Sequence, residues 1–132
     1  MSDQAPRILF IDDDSVLADI YRQRLRMENF NVEHIPDGEL AMQVALDYKP
    51  DLVVLDLMLP KLSGFDVLEI MRSTPETRSL KIIVFSALGS KEDRERAMKL
   101  GADGYIVKSE VTLAEMMDKL RQLLPVPGNG SR

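Results

Sequence analysis

Three aspartates, a serine and a lysine stand where runs of apolar residues end. Asp12 and Asp13 follow the first run, Asp56 follows a second, and Ser86 and Lys108 follow two others. Carboxylates held close together repel one another, and a hard divalent cation that prefers oxygen ligands, such as Mg²⁺, relieves this repulsion. A carboxylate nucleophile beside Mg²⁺, a lysine and a hydroxyl suits phosphoryl transfer, with Asp56 as the acceptor.

Short apolar runs alternate with helical patterns along the whole chain. Continuous apolar runs bounded by turn residues are typical of strands buried on both faces. The predicted strands are residues 8–11, 32–35, 52–55, 81–85 and 104–107, and apolar residues at helical spacing follow each one. This alternation predicts an α/β fold, a doubly wound parallel sheet of five strands in the order 2-1-3-4-5 with flavodoxin-like (βα)5 topology.

The predicted strand order determines which strand ends meet. In open parallel sheets ligands bind beyond the carboxyl ends of the strands, where the strand order reverses. The first and third strands are neighbours at that point, so Asp12, Asp13 and Asp56 should lie together, and Ser86 and Lys108 should reach the same edge. Each residue alone is equally compatible with a cap, a turn or an exposed side chain, so the prediction of a site depends on their convergence.

Two helices carry specific predictions of a buried face. In the first helix the apolar spacing predicts inward-facing Val16, Leu17, Ile20, Tyr21 and Leu25. In the second, which the sequence starts at Asp37-Gly38, it predicts inward-facing Leu40, Ala41, Val44, Ala45 and Tyr48.

The composition excludes several classes of protein. The chain has 132 residues, 45% of them hydrophobic and 30% charged, which predicts one globular domain at residues 7–124 between a lead at 1–6 and a flexible tail at 125–132. Its net charge of -5 argues against binding to nucleic acid, and the absence of cysteine excludes disulfides and thiolate metal sites. Because no leader or membrane-spanning apolar run is evident, we expect a cytoplasmic protein without membrane contact.

With these motifs in view, the chain resembles the receiver domain of two-component response regulators. The resemblance covers roughly residues 7–124 and is carried by residues 8–14, 54–60 with Ser63-Gly64, 85–87 and 101–108. It implies that Asp56 accepts a phosphoryl group from a histidine kinase or a histidine phosphotransfer protein. It also implies that Asp13, Asp56 and the backbone carbonyl of Met58 bind Mg²⁺ directly, while Asp12 acts through water.

The same resemblance implies a switch and a docking surface. Ser86 and Tyr105 match the family's switch pair, in which the hydroxyl turns toward the phosphoryl group and the aromatic ring rotates inward. The surface formed by the fourth helix, the fifth strand and the fifth helix would then bind a downstream protein. We therefore expect a signalling protein rather than an enzyme, present as a monomer or as a dimer that forms on phosphorylation.

One position departs from the family pattern. Many receivers place a proline after the lysine, in a cis peptide bond, whereas here Ser109 follows Lys108. A cis bond before a residue other than proline costs about 2.5–4 kcal/mol, so we expect this bond to be trans.

Two rival hypotheses use the same residues. Residues 8–17 also resemble the motif of haloacid dehalogenase-type phosphatases, with Asp12 as nucleophile and Asp14 as acid/base, but Leu88-Gly89 stands where a carboxylate pair would be needed. A degenerate receiver that only binds proteins would lack a site residue, and none is missing. His34 is expected in a strand away from the crevice, which argues against a phosphorelay histidine.

Two apolar side chains are predicted to flank the phosphoryl group. Met58 lies two residues after Asp56, and Leu88 lies two residues after Ser86. Neither side chain can hold a water molecule for in-line attack, which predicts slow loss of the phosphoryl group.

Overall fold

The computed structural model describes residues 5–124. The predicted tail at 125–132 lies outside the described residues, and so do residues 1–4 of the predicted N-terminal lead. Within residues 5–124 we find no helix with the length and apolar character that a membrane span requires.

Five parallel strands form one sheet in the order β2-β1-β3-β4-β5, which confirms the predicted topology. The strands are β1 (Arg7–Ile11), β2 (Asn31–Ile35), β3 (Leu52–Leu55), β4 (Lys81–Ser86) and β5 (Gly104–Val107). The helices are α1 (Ser15–Met27), α2 (Ala41–Tyr48), α3 (Gly64–Ser73), α4 (Lys91–Lys99) and α5 (Leu113–Leu123), with short 3₁₀ helices at Gly38–Leu40 and Lys108–Glu110.

The sheet separates two apolar cores. Helices α2, α3 and α4 cover one face, and helices α1 and α5 cover the other. Every residue of β3 is buried, as the continuous apolar run predicted for a strand covered on both sides. On the α1/α5 face the rings of Phe10, Tyr21 and Phe85 contact one another, with centroids 5.6–6.3 Å apart. This aromatic cluster lies near the carboxyl ends of β1 and β4.

Two predictions about helix faces are wrong in part. Helix α1 buries Ala18, Tyr21 and Leu25, whereas Val16 and Ile20 are 73% and 43% exposed. Val16 lies about 200° around the helix axis from Ala18, and the small alanine instead lets the helix approach the sheet. Leu40 is also exposed, because residues 38–40 form a 3₁₀ helix rather than the first turn of α2.

One arginine side chain makes four hydrogen bonds at the amino-terminal edge of the sheet, beside the starts of β4 and β5. Arg72, in the last turn of α3, donates from Nε to the carbonyl of Gly101 at 2.9 Å and from one terminal nitrogen to the carbonyls of Arg78 and Leu80 at 2.9 and 2.7 Å. Its other terminal nitrogen donates to Asp103 Oδ2 at 2.9 Å. The side chain therefore fixes the chain segments that enter β4 and β5, the two strands that carry Ser86 and Lys108 to the opposite edge.

We predict that Arg72→Ala lowers the free energy of unfolding by about 2 kcal/mol or more, because it removes a charged donor and leaves part-buried carbonyls without partners. Urea unfolding followed by circular dichroism measures the change. Arg78→Ala is the matched control, because the Arg78 side chain is exposed and only its backbone carbonyl contacts Arg72. Equal losses in the two variants would contradict the role assigned to Arg72.

Candidate functional site: a carboxylate cluster at the strand ends

The structure brings the three predicted carboxylates together at the carboxyl edge of the sheet. Asp12 and Asp56 follow β1 and β3, which pair with Ile11 opposite Leu55. Asp12 and Asp56 are 1% and 4% exposed, whereas Asp13 is exposed. One carboxylate oxygen of each aspartate lies within 4.8 Å of an oxygen of the other two. Buried carboxylates at this spacing require a positive charge nearby.

Lys108 supplies that charge. Its Nζ lies 2.8 Å from Asp12 Oδ2 and 3.1 Å from Asp56 Oδ2. Burial raises the pKa of Asp12, and the contact with Lys108 opposes this rise. Burial alone would lower the pKa of Lys108, but its contacts with Asp12 and Asp56 outweigh burial and raise that pKa. The lysine is therefore held in its charged form between the two buried carboxylates.

Lys108 is the first residue of a short 3₁₀ helix that begins where β5 ends. The Lys108–Ser109 peptide bond is trans, as predicted from the absence of proline. The ammonium group also lies 5.7 Å from the centroid of the Phe85 ring, whose face attracts a cation. The family's usual cis-proline is thus not needed to bring this lysine to the carboxylates.

The donor atoms fit a small divalent cation. Three carboxylates and one ammonium group carry a net charge of −2, which a dication balances. All the side-chain donors are oxygen atoms, the ligands that Mg²⁺ prefers. Asp12 Oδ2 is buried, and no donor among residues 5–124 makes a hydrogen bond of regular geometry to it. Its contact with Lys108 is thus an ion pair, which leaves this oxygen free to accept a further positive partner.

The loop after β3 places Asp56 at an open edge. The Met58 backbone N–H donates to Asp56 Oδ1 at 3.2 Å, and the Met58 side chain is 54% exposed beside it. Helix α3 begins at Gly64, where any Cβ would collide with the backbone carbonyl of Asp56. Glycine is therefore required at this position for α3 to start against the loop that presents Asp56.

Ser86 and Tyr105, the predicted switch pair, both bind the backbone of Leu88. The Leu88 N–H donates to Ser86 Oγ at 3.3 Å, and the Tyr105 hydroxyl donates to the Leu88 carbonyl at 2.7 Å. Both side chains are buried, and among residues 5–124 their side-chain hydrogen bonds go to Leu88 rather than to the carboxylates. The guanidinium of Arg94 lies 5.0 Å from the centroid of the Tyr105 ring. One loop residue therefore links the two side chains.

One contact at the site was missed by the sequence analysis. His34 lies in β2 as predicted, but its ring reaches the crevice, with Nε2 2.7 Å from the backbone carbonyl of Asp12. The parallel register places His34 opposite Phe10, two residues before Asp12. The predicted order already placed the second strand beside the first, and a register with His34 opposite Phe10 would have shown that this ring lies near the site.

Comparison with known proteins identifies the family. The profile of the response regulator receiver domain family matches residues 8–121. The chain is 37% identical over 119 residues to the DNA-binding dual master transcriptional regulator RpaA of Synechocystis sp., covering 90% of this chain and 49% of RpaA. It is 39% identical over 118 residues to the transcriptional regulatory protein CpxR of Escherichia coli, covering 89% of this chain and 49% of CpxR.

These comparisons concern the receiver domain alone, because the chain spans about half the length of the curated relatives it matches. Among solved structures, the non-phosphorylated HemR receiver domain of Leptospira biflexa superposes with a TM-score of 0.81 at 31% identity and covers 89% of this chain and 93% of that chain.

The family match selects among the three hypotheses drawn from the sequence. The receiver family model spans residues 8–121, which favours the receiver hypothesis over the phosphatase hypothesis. The acidic triad that the motif comparison pointed to is complete and assembled at one edge. The chain belongs to the response regulator receiver domain family.

Proposed function

We propose that this receiver domain accepts a phosphoryl group on Asp56 from a phosphohistidine of a histidine kinase or a histidine phosphotransfer protein. The observation that carries the proposal is the contact of Asp56 with Lys108 at 3.1 Å within the carboxylate cluster. Asp56 combines this contact with a position beside an exposed loop. Asp13 has no ion pair with Lys108 in the described structure, and Asp12, which has one, is assigned by the family resemblance to Mg²⁺ through water.

In the proposed reaction an oxygen of the Asp56 carboxylate attacks the phosphorus atom of the donor. An oxygen–phosphorus bond forms, the phosphorus–nitrogen bond breaks, and the electron pair of the broken bond stays on the imidazole nitrogen. Phosphoryl transfer proceeds through a loose transition state with charge on the equatorial oxygens, so positioning and charge neutralisation supply most of the catalysis. Lys108, held by Asp12 as well as by Asp56, is placed to neutralise one of these oxygens.

Mg²⁺ bound by Asp13, Asp56 and the backbone carbonyl of Met58, and by Asp12 through water, would neutralise further charge on the phosphoryl oxygens. The residues of the chain arrange this site. Asp12 accepts the Asp14 N–H on Oδ1 at 2.9 Å, which fixes its carboxylate while Oδ2 faces Lys108.

We predict that acetyl phosphate or phosphoramidate with Mg²⁺ adds one phosphoryl group to the protein and that Asp56→Asn abolishes the addition, because the amide is a poor nucleophile. Intact-mass spectrometry measures the product. Asp47→Asn is the matched control, because Asp47 is exposed on α2 and away from the strand ends.

Three other outcomes would contradict the proposal. Label on Asp12 would favour the phosphatase hypothesis, and the absence of label on the wild type would favour a receiver that only binds proteins. Undiminished labelling in excess EDTA would remove the role of Mg²⁺.

We further propose that Leu88 couples the phosphoryl group to the docking surface. Ser86 Oγ accepts the Leu88 N–H in this structure, so a turn of the hydroxyl toward a phosphoryl oxygen releases that N–H. The Tyr105 hydroxyl binds the Leu88 carbonyl, so any movement of the loop also changes the anchor of Tyr105. A ligand shifts such an equilibrium only through a contact that differs between the two states, and the Ser86–phosphoryl contact is one.

An open groove next to Tyr105 is the surface that we propose for docking. An open groove of about 530 Å³ lies over β5 between α4 and α5, bordered by Arg94, Tyr105 and Glu115. We propose that a downstream protein, or a second copy of the chain in a dimer that forms on phosphorylation, docks here. Movement of Tyr105 would change the floor of this groove and hence its affinity for the partner.

We predict that beryllofluoride, which mimics the phosphoryl group, shifts the backbone amide signals of residues 87–99 and 104–109 in an NMR titration with Mg²⁺. Ser86→Ala should confine the shifts to the neighbourhood of Asp56, because the hydroxyl that senses the ligand is gone. Ser63→Ala is the control, because Ser63 caps α3 at the same edge without touching Leu88. Shifts confined to the carboxylates in the wild type would argue against this coupling.

The persistence of the phosphoryl group should depend on Met58 and Leu88. Hydrolysis needs a water molecule in line with the bond that breaks, and a polar side chain can orient it. Met58 is exposed beside Asp56 and Leu88 is half-buried beside Ser86, and both are apolar. We propose that they cover the phosphoryl group without holding a water and so prolong its lifetime.

We predict that Met58→Asn speeds loss of the phosphoryl group about tenfold, equivalent to about 1.4 kcal/mol of activation free energy. The decay of the phosphorylated protein, followed by intact-mass spectrometry after removal of the donor, measures this rate. Met27→Asn is the matched control, because Met27 is 78% exposed at the end of α1. Equal decay constants in the two variants would leave the shielding role of Met58 without support.

A further inference from the structure

The Asp12 carbonyl lies where regular sheet pairing stops. The ladder between β1 and β2 is still intact at the Asp12 N–H, which donates to the Ile35 carbonyl at 3.1 Å. The N–H of residue 37 would be the next donor, to the Asp12 carbonyl. However, β2 ends at Ile35, and Asp37 instead caps the 3₁₀ helix at Gly38–Leu40.

His34 replaces this missing donor. Its Nε2 lies 2.7 Å from the Asp12 carbonyl oxygen, and because a carbonyl can only accept, Nε2 carries the hydrogen. Asp12 as a whole is 1% exposed, so water has little access to this carbonyl. The imidazole therefore supplies a hydrogen bond that holds the peptide unit joining Asp12 to Asp13.

This peptide unit sets the direction of the Asp13 side chain. Asp12 is held at four points: its N–H by Ile35, its Oδ1 by the Asp14 N–H, its Oδ2 by Lys108 and its carbonyl by His34. Asp13 is exposed, and its side chain accepts no hydrogen bond in the described structure. The position of its carboxylate therefore depends on the backbone before it, and of these four contacts only that of His34 is made to an atom of the Asp12–Asp13 peptide unit itself.

We propose that His34 is a positioning residue of the phosphoryl-transfer site, which holds the Asp12–Asp13 peptide so that the Asp13 carboxylate is preorganised for Mg²⁺. The inference rests on the proposed function of the site. Groups that hydrogen-bond to a metal-binding residue and orient it commonly change the metal affinity by about 10–100-fold when they are removed. His34 would thus act on Mg²⁺ through Asp13, without touching the metal or the phosphoryl group.

The test compares the Mg²⁺ affinity of full-chain variants by calorimetric titration with the metal alone. His34→Phe keeps an aromatic ring but removes the donor, and we expect its Kd for Mg²⁺ to rise about tenfold or more. His34→Gln restores an N–H donor and should recover most of the wild-type affinity. Glu33→Gln, on the exposed face of the same strand, is the control and should leave the Kd unchanged.

Two measurements separate positioning from a merely structural role. A structural role would lower the unfolding midpoint of metal-free His34→Phe without changing the Kd of the folded protein. Labelling at saturating Mg²⁺ should remain close to the wild-type rate, because only the affinity is affected. An unchanged Kd in His34→Phe, or a Kd in His34→Gln as weak as in His34→Phe, would overturn the proposal.

The wild-type protein offers a readout that does not depend on the folding of any variant. His34 is the only histidine of the chain, so its ring ¹⁵N signals are assigned without ambiguity. They should shift with Mg²⁺ at the same midpoint as the Asp13 amide, and ring signals that do not respond would overturn the proposal.

The same measurements separate failure of this inference from failure of the proposed function. If the wild type neither binds Mg²⁺ nor is labelled on Asp56, the proposed function fails as well. If the wild type does both and His34→Phe matches it, only this inference fails.

Discussion

The contact of Lys108 with Asp12 and Asp56 is the interaction on which the rest of the site depends. Two buried carboxylates lie next to a third at the end of the sheet, and without a paired cation their desolvation would oppose folding. The lysine reaches them from the far side of β4, at the end of β5, so the contact requires β1, β3, β4 and β5 to be in order. The residual charge of −2 lies at the carboxyl edge of the sheet, where ligands of doubly wound sheets typically bind.

The two edges of the sheet have different physical characters. At the amino-terminal edge, Arg72 donates to backbone carbonyls and pairs its charge with the Asp103 carboxylate. At the carboxyl edge, excess negative charge is held on Asp12, Asp13 and Asp56 above an apolar floor that includes Phe85. The excess of negative charge at the carboxyl edge is what suits that edge to a divalent cation.

Backbone groups carry the connections between the site and its surroundings. Ser86 and Tyr105 meet through the N–H and the carbonyl of Leu88, and His34 reaches the site through the carbonyl of Asp12. In each case a side chain bonds a peptide unit that the regular ladder or helix does not satisfy, as expected for buried backbone groups at the ends of elements.

The sequence by itself determined the sheet, its strand order and the carboxylates at its edge. Short apolar runs bounded by turn residues favour strands covered on both sides, and right-handed crossovers then leave few topologies. Motif comparison added the roles expected of Asp56, Ser86 and Tyr105, which stay predictions. Only the tertiary structure decided that Val16 and Ile20 are exposed, that Lys108 pairs with Asp12 as well as Asp56, and that His34 reaches the Asp12 carbonyl. Periodicity specifies which residues share a face, but the rotation of a helix and the reach of a side chain depend on packing between elements distant in sequence.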